Sequence, residues 1–266
     1  MKNIFLASVI SVFAVSSAVA EETTKTAPAI GGSVNVEVTE NTAGDYVATT
    51  TLGLSIAAGD VAFGSVSVES VDGATLEIDE WAIGTNVGVA TVSFGKQDDL
   101  MVGNDFEIVG GDTIADLADD HESLQVTVGA ASVMVGLTDV TADVTDVENI
   151  QGAYTFGVAD SAVTAVGDYN MDSEDWTVGA KTGLNFGEVN LGGIVTYGSA
   201  DEVFAYEASA GYGIATAFVN GDDADMLQNV GAGVSTNVKG LGVYAEGSYN
   251  IDAEDTTVGA GVTFNF

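Results

Sequence analysis

From residue 32 onward the chain is written almost entirely in runs that alternate apolar residues with small polar ones. The last run is the plainest. Val258, Ala260, Val262, Phe264 and Phe266 share one parity, and Thr257, Gly259, Gly261, Thr263 and Asn265 share the other. Side chains on a β-strand point to opposite faces with period two, so this segment is a strand with one greasy face and one small polar face. Similar runs, bounded by Gly, Asp, Asn and Ser, recur at 32–40, 46–57, 60–70, 75–86, 88–97, 123–129, 131–138, 147–158, 161–169, 175–185, 188–198, 203–210, 212–219, 227–236, 240–249 and 256–266. That predicts an all-β chain of sixteen strands, fourteen if the weak runs 60–70 and 75–86 fail. Helical periodicity is confined to DTIADLADD, residues 112–120, inside the longest connection.

The strands come as hairpins. GDYNMDSEDWTVGAKTGLNF (167–186) and GSYNIDAEDTTVGAGVTFNF (247–266) match at twelve of twenty positions, eighty residues apart. Each holds a strand, an acidic turn and a second strand. Connections alternate along the whole chain. Acidic, longer loops follow the odd runs: TDVTADVTDVE, NMDSED, GSADE, NGDDAD and NIDAED. Tight links such as NVGV, GAAS, VADS and TNVKG follow the even ones. One end of the sheet thus has long acidic loops and the other tight turns, the asymmetry of an outer-membrane barrel.

Composition agrees. Met1-Lys2-Asn3, an apolar run from Ile4 to Phe13, and Ser17-Ala18-Val19-Ala20 before Glu21 read as a secretory signal over residues 1–20, leaving 21–266 as one barrel domain. No stretch approaches the roughly 18–20 apolar residues of a membrane-spanning helix. There is no cysteine, hence no disulfide or thiolate metal site. The expected inner faces are Gly, Ser, Thr and Asn, too small for a soluble sandwich core. Aromatics (Trp81, Phe94, Tyr154, Tyr169, Trp176, Tyr197, Tyr212, Phe218, Tyr249, Phe264) fall near strand ends, as in the interfacial girdles of membrane barrels. A formal charge of −35, from 40 acids and five lysines with no arginine, excludes electrostatic nucleic-acid binding and favours cations.

Three features resemble the Gram-negative general diffusion porins, sixteen-stranded and trimeric. WAIGTNVGVATVSFGKQ (81–97) is similar to the strand–turn–strand before that family's constriction loop. Residues 98–122 stand at the position of its third outer loop, which folds inward. VTFNF is similar to its terminal strand, whose final aromatic, here Phe266, is the signal read by the outer-membrane assembly machinery. The resemblance implies a transmembrane antiparallel barrel with an inward third loop, set among outer-membrane lipids as a homotrimer. It implies passive diffusion of small hydrophilic solutes and ions, with no catalysis and no required cofactor. The last strand would pair with the first. The family's basic cluster opposite the loop is missing here, because the chain has no arginine. Only Lys96 and Lys181 are candidates for lumen-facing bases.

If residues 98–122 enter the lumen, Asp98, Asp99, Asp105, Glu107, Asp112, Asp116, Asp119, Asp120 and Glu122 are candidates for the constriction, and a carboxylate ring there favours cations. The plainer reading is an outward, solvated loop. Calcium is possible at Asp172, Glu174 and Asp175, at Asp222, Asp223 and Asp225, and at Asp252, Glu254 and Asp255. It needs six to eight oxygens, and none of these turns has EF-hand spacing. A solvated turn is the plainer reading of each. The alternative function is a secreted, acidic, calcium-binding β-rich surface or adhesion protein. A third reading, a smaller barrel with a structural or enzymatic role, would have to use His121, the only histidine. It sits among Asp119, Asp120 and Glu122 with no nucleophile motif.

Overall fold

A computed structural model describes residues 28–41, 43–58, 61–73, 75–97, 100, 122–138, 146–158, 161–200 and 202–266. The segment read as a secretory signal lies outside them. So do Asp98, Asp99, Asp105, Glu107, Asp112, Asp116, Asp119, Asp120, His121 and the expected helix 112–120.

Sixteen strands form one closed antiparallel barrel. In chain order they are β1 (Ala29–Asn41), β2 (Tyr46–Ala58), β3 (Ala62–Val71), β4 (Glu77–Val87), β5 (Ala90–Lys96), β6 (Glu122–Val128), β7 (Ala131–Thr138) and β8 (Asp146–Val158). Then follow β9 (Ser161–Asn170), β10 (Trp176–Phe186), β11 (Val189–Gly198), β12 (Phe204–Tyr212), β13 (Ala215–Asp222), β14 (Asn229–Val238), β15 (Leu241–Asn250) and β16 (Asp255–Asn265). Each pairs with its sequence neighbours, and β16 closes on β1 from Ser33↔Asn265 to Asn41↔Thr257. The weak runs 60–70 and 75–86 are β3 and β4. Their alternation is blurred by a bulge: Val66 faces Trp81 but Val68 faces Ile78, so that two residues of β4, Asp79 and Glu80, oppose the single Ser67.

The turns follow from local chemistry. At the tight-turn end, Lys239 (φ 56°) and Gly240 (φ 88°) connect β14 to β15. Two consecutive positive φ angles make the mirror-image turn whose twist matches that of paired strands. At the opposite end, loops are pinned by their first residue. Asn170 Oδ1 accepts the N–H groups of Asp172 and Ser173, each at 3.0 Å. Asn250 Oδ1 accepts that of Ala253 at 2.8 Å.

The barrel is inverted relative to a soluble protein. Outward side chains are aliphatic and exposed, such as Val36 at 46%, Ile83 at 60% and Val258 at 44%. The fully buried side chains are inward and polar, among them Gln151 and Asn220 at 0%. In water, the exposed belt would oppose folding at about 25 cal/mol for each Å² of apolar surface left wet; in hydrocarbon the term vanishes. Aromatics rim the belt at both ends. Trp176 stacks obliquely on Tyr197 with ring centres 5.7 Å apart at the loop end. Tyr154 and Phe156 stack 6.4 Å apart toward the tight turns. β10 carries one aromatic at each end, Trp176 and Phe186, over 11 residues. At about 3.4 Å per residue and a tilt of about 45°, the rows stand roughly 25 Å apart, the height of the apolar band of outer-membrane barrels.

One expected girdle residue is corrected. Phe218 lies opposite Ser209 and Gly231 on the inward face and is 2% exposed. Its ring occupies the space that a side chain at Gly231 would fill. Phe63 lies over Gly84, and Tyr244 over Gly261, in the same way. Each pair fills the wall with one ring across two strands, which explains glycine at those three sites.

Candidate functional site

The lumen is the concave site. Register places Glu37, Glu69, Asp168, Glu207, Glu246 and Asp255 on the inward face. Glu69 and Glu77 face each other directly, like charges on neighbouring strands. Such a pair is destabilising unless cations gather there.

Toward the loop end, β5, β6, β8 and β9 present a buried polar wall. Ser93 Oγ donates to Gln97 Oε1 at 2.7 Å, and Gln97 Nε2 reaches both Ser123 O and Ser123 Oγ at 3.2 Å. Asn149 Nδ2 donates to Asp168 Oδ1 at 3.1 Å. Leu100, the one described residue between Gln97 and Glu122, is inside this wall. Its N–H donates to Gln151 Oε1 at 3.0 Å, and its side chain packs on the cluster of Val166 and Ile194. Leu100 is thus in contact with β8 and with inward side chains of β9 and β11.

Toward the tight turns the lumen holds a cavity of about 1030 Å³ lined by β9 to β16, with hydroxyls and amides such as Thr164, Asn190, Ser209 and Thr263 interspersed with glycines. Tyr244 OH accepts from Asn35 Nδ2 at 3.1 Å and donates to Glu37 Oε2 at 3.1 Å, while Thr263 Oγ1 donates to Asn35 Oδ1 at 3.0 Å. This network fixes one acid of the wall in place. Lys181 faces the same cavity.

The two basic candidates part here. Lys181 is opposite Thr164 and Ile194 on the inward face. Lys96 is corrected: it shares the outward parity of Val92 and Phe94 and faces Trp81 and Glu122 in register. Glu122, a candidate for the constriction, is likewise on the outward face, continuing Leu124 and Val126 at the loop end of β6. The alternation runs to the last residue of β5 and from the first of β6, so nearness to the long loop did not turn either side chain inward.

Among the described residues no three acidic or histidine side chains converge as a metal site. In NGDDAD the turn uses Asp222 itself. Its Oδ1 accepts the N–H groups of Ala224 and Asp225 at 2.8 and 2.7 Å, and its Oδ2 accepts from Gln228 Nε2 at 2.7 Å. Asp223 and Asp225 are exposed beside it. In the other two turns Asp172 and Asp252 are exposed, Glu174 (φ 60°) and Glu254 (φ 51°) take the left-handed conformation, and Asp175 and Asp255 lead into β10 and β16. The secreted calcium-binding alternative finds no support in this apolar exterior. The inward aromatics over glycine were missed in the sequence; aromatic parity carried part of the signal, but the facing glycine is set by inter-strand register.

No protein-family model matches the chain, and no curated protein matches it. Solved structures do. One engineered variant of the porin of Rh. blastica is 14% identical with a TM-score of 0.66, covering 90% of this chain and 100% of its own. Another is 15% identical with a TM-score of 0.65 over the same shares. A loop-deletion mutant of OmpT, an outer membrane protein of Vibrio cholerae, is 14% identical with a TM-score of 0.63, covering 90% of this chain and 99% of its own. At such identities the likeness is one of fold, and the fold of this chain is that of the sixteen-stranded porins.

Proposed function

We propose that this chain forms a water-filled channel in the outer membrane of a Gram-negative bacterium, through which small hydrophilic solutes and ions diffuse passively, cations in preference. One observation carries the reading: a closed barrel with an aliphatic, aromatic-rimmed exterior and an acidic, hydroxyl-lined interior. Only a closed barrel or a helix satisfies every backbone group in hydrocarbon, and an acid-lined pore concentrates cations. The porin-type architecture of the neighbouring structures supports it.

Three finer readings belong to the proposal. Residues 98–122 narrow the pore from inside, supported by the seat of Leu100 on Gln151 and the Val166–Ile194 cluster. Three copies associate, as in the family that the sequence resembles. The strand ending at Phe266 is read by the assembly machinery. Calcium is not required for any of these. The test is single-channel recording of the refolded chain in a planar bilayer under a potassium chloride gradient. Conductance steps in threes with a cation-selective reversal potential are expected. A protein that stays in aqueous buffer without detergent and never inserts would refute the channel. Replacing the acids between Asp105 and Asp120 by Asn and Gln should move the reversal potential toward zero. An unmoved potential would put that segment outside the constriction.

A further inference from the structure

The connection from β13 to β14 folds down over the outside of the wall. Gly221 shows this. It faces Tyr206 in register and shares the outward parity of Ala217 and Val219, yet it is buried. A side chain there would meet Asp225 O and the carbonyl group of Met226, all at 2.7 Å, so the loop backbone lies across its outer side. Tyr206, outward on β12 like Phe204, donates its hydroxyl to Met226 O. The last hairpin differs: its ladder runs to Asn250↔Asp255, and residues 251–254 follow as a plain turn.

The height of this contact matters. Phe204 is opposite Tyr197, which stacks on Trp176 in the loop-end girdle. Tyr206 is one outward position farther from the loops, roughly 5 Å lower at about 3.4 Å per residue and a tilt of about 45°. The loop therefore passes at the height of the girdle, and it does so with its polar groups answered. The N–H groups of Ala224 and Asp225 go to Asp222 Oδ1, and that of Gln228 to Asn220 O. The carbonyls of Asp225, Met226 and Gln228 accept from Asp222 N, Tyr206 OH and Ile251 N. A loop in water does not need such partners, because water supplies them; irregular backbone beside hydrocarbon does. The side chains that the loop turns outward are apolar: Met226 is 77% exposed and Leu227 43%. Methionine adapts readily to an irregular apolar surrounding.

Continuity with the belt decides the partner. Below the loop the outward row Ala208, Val219 and Val230 leads directly into the aliphatic exterior. A surface that continues the belt at the height of its aromatic rim meets what the belt meets. Resting on the membrane reading of the barrel, we propose that the β13–β14 loop is a foot on the lipid leaflet at the loop end. Met226 and Leu227 enter the boundary between acyl chains and headgroups. Asp223 and Asp225, both exposed, stay among the headgroups, where a carboxylate costs little. Held in this way, the loop is kept off the mouth of the pore.

The chain has no cysteine, so a single spin label can be placed at one chosen site. Met226→Cys is compared with Ala253→Cys, in the turn of the last hairpin, and with Ala180→Cys, on the outward face of β10. Each labelled chain is refolded into phospholipid vesicles. Collisions with oxygen, which concentrates in hydrocarbon, are measured against those with a neutral, water-soluble nickel chelate. The oxygen-to-nickel ratio at 226 should exceed that at 253 about threefold and stay below that at 180, the order expected of an interfacial site about 5–10 Å deep. A ratio at 226 equal to that at 253 overturns the foot and leaves the channel standing. Few collisions with either reagent at 226 would mean that another copy covers the loop, and would overturn the lipid partner. A ratio at 180 as low as that at 253 overturns the membrane reading and this inference with it.

Discussion

Gly261 shows how a single residue is set by its neighbour across the sheet. The ring of Tyr244 lies where a side chain at 261 would stand, and its hydroxyl is tied to Asn35 and Glu37. Gly261→Val should displace the ring, break that network and lower stability by about 1–3 kcal/mol in urea unfolding from lipid vesicles. Tyr244→Ala combined with Gly261→Val should lose little beyond Tyr244→Ala alone, since the ring that clashes is gone. Full additivity would mean the two do not share one space. At this scale the sequence was legible wherever parity sufficed. Lys181 and the inward threonines follow from alternation. Lys96 did too, because it shares parity with Val92 and Phe94; its expected lumen position came from nearness to the long loop. The girdle position expected of Phe218 failed because nearness to a strand end says nothing about face.

The hairpin is the element that carries most of the information, and its two near copies test it. Asn250 closes the loop of the last hairpin, and Glu254 is held at a φ that costs a residue with a side chain about 1 kcal/mol. Asn250→Ala should destabilise by about 0.5–1.5 kcal/mol, and Glu254→Gly should stabilise by up to about 1 kcal/mol, both read from urea midpoints. Faces within a hairpin separate more sharply. Ala180 and Lys181 are adjacent on β10, one outward and one inward. Ala180→Arg should cost about 2–4 kcal/mol in a lipid-refolded sample, whereas Lys181→Arg should change stability by less than about 0.5 kcal/mol. Equal costs would deny that the outward face meets hydrocarbon. All sixteen strands were legible because each is bounded by turn residues. Their ends shifted by a residue or two at most sites, and by three at the start of β1 and at both ends of β13. The bulge in β4 was hidden, since Asp79-Glu80 breaks the alternation without saying which strand carries the extra residue.

At the scale of the molecule, the charge is the property that experiment reaches most directly. If the inward acids set ion preference, the preference is electrostatic and screened, with a Debye length of about 10 Å at 0.1 M and about 3 Å at 1 M. The potassium-to-chloride permeability ratio should therefore fall several-fold between 0.1 and 1 M salt. A ratio indifferent to ionic strength would point to pore size instead. Closure of the barrel was expected from the resemblance to the general diffusion porins, whose last strand pairs with the first, since alternation marks strands but not their partners. The course of residues 101–121 was not legible, because an acidic segment reads alike whether it meets bulk water or pore water. Closure has a kinetic side as well. The strands that meet last, β1 and β16, are the two farthest apart in the chain, and contacts of such long range form slowly. Until they meet, every partial sheet has two open edges that would template stacking with other copies. A formal charge of −35, concentrated in the loops at one end, makes such sheets repel one another. The acids that would select ions in the finished pore thus also keep its unfinished forms apart.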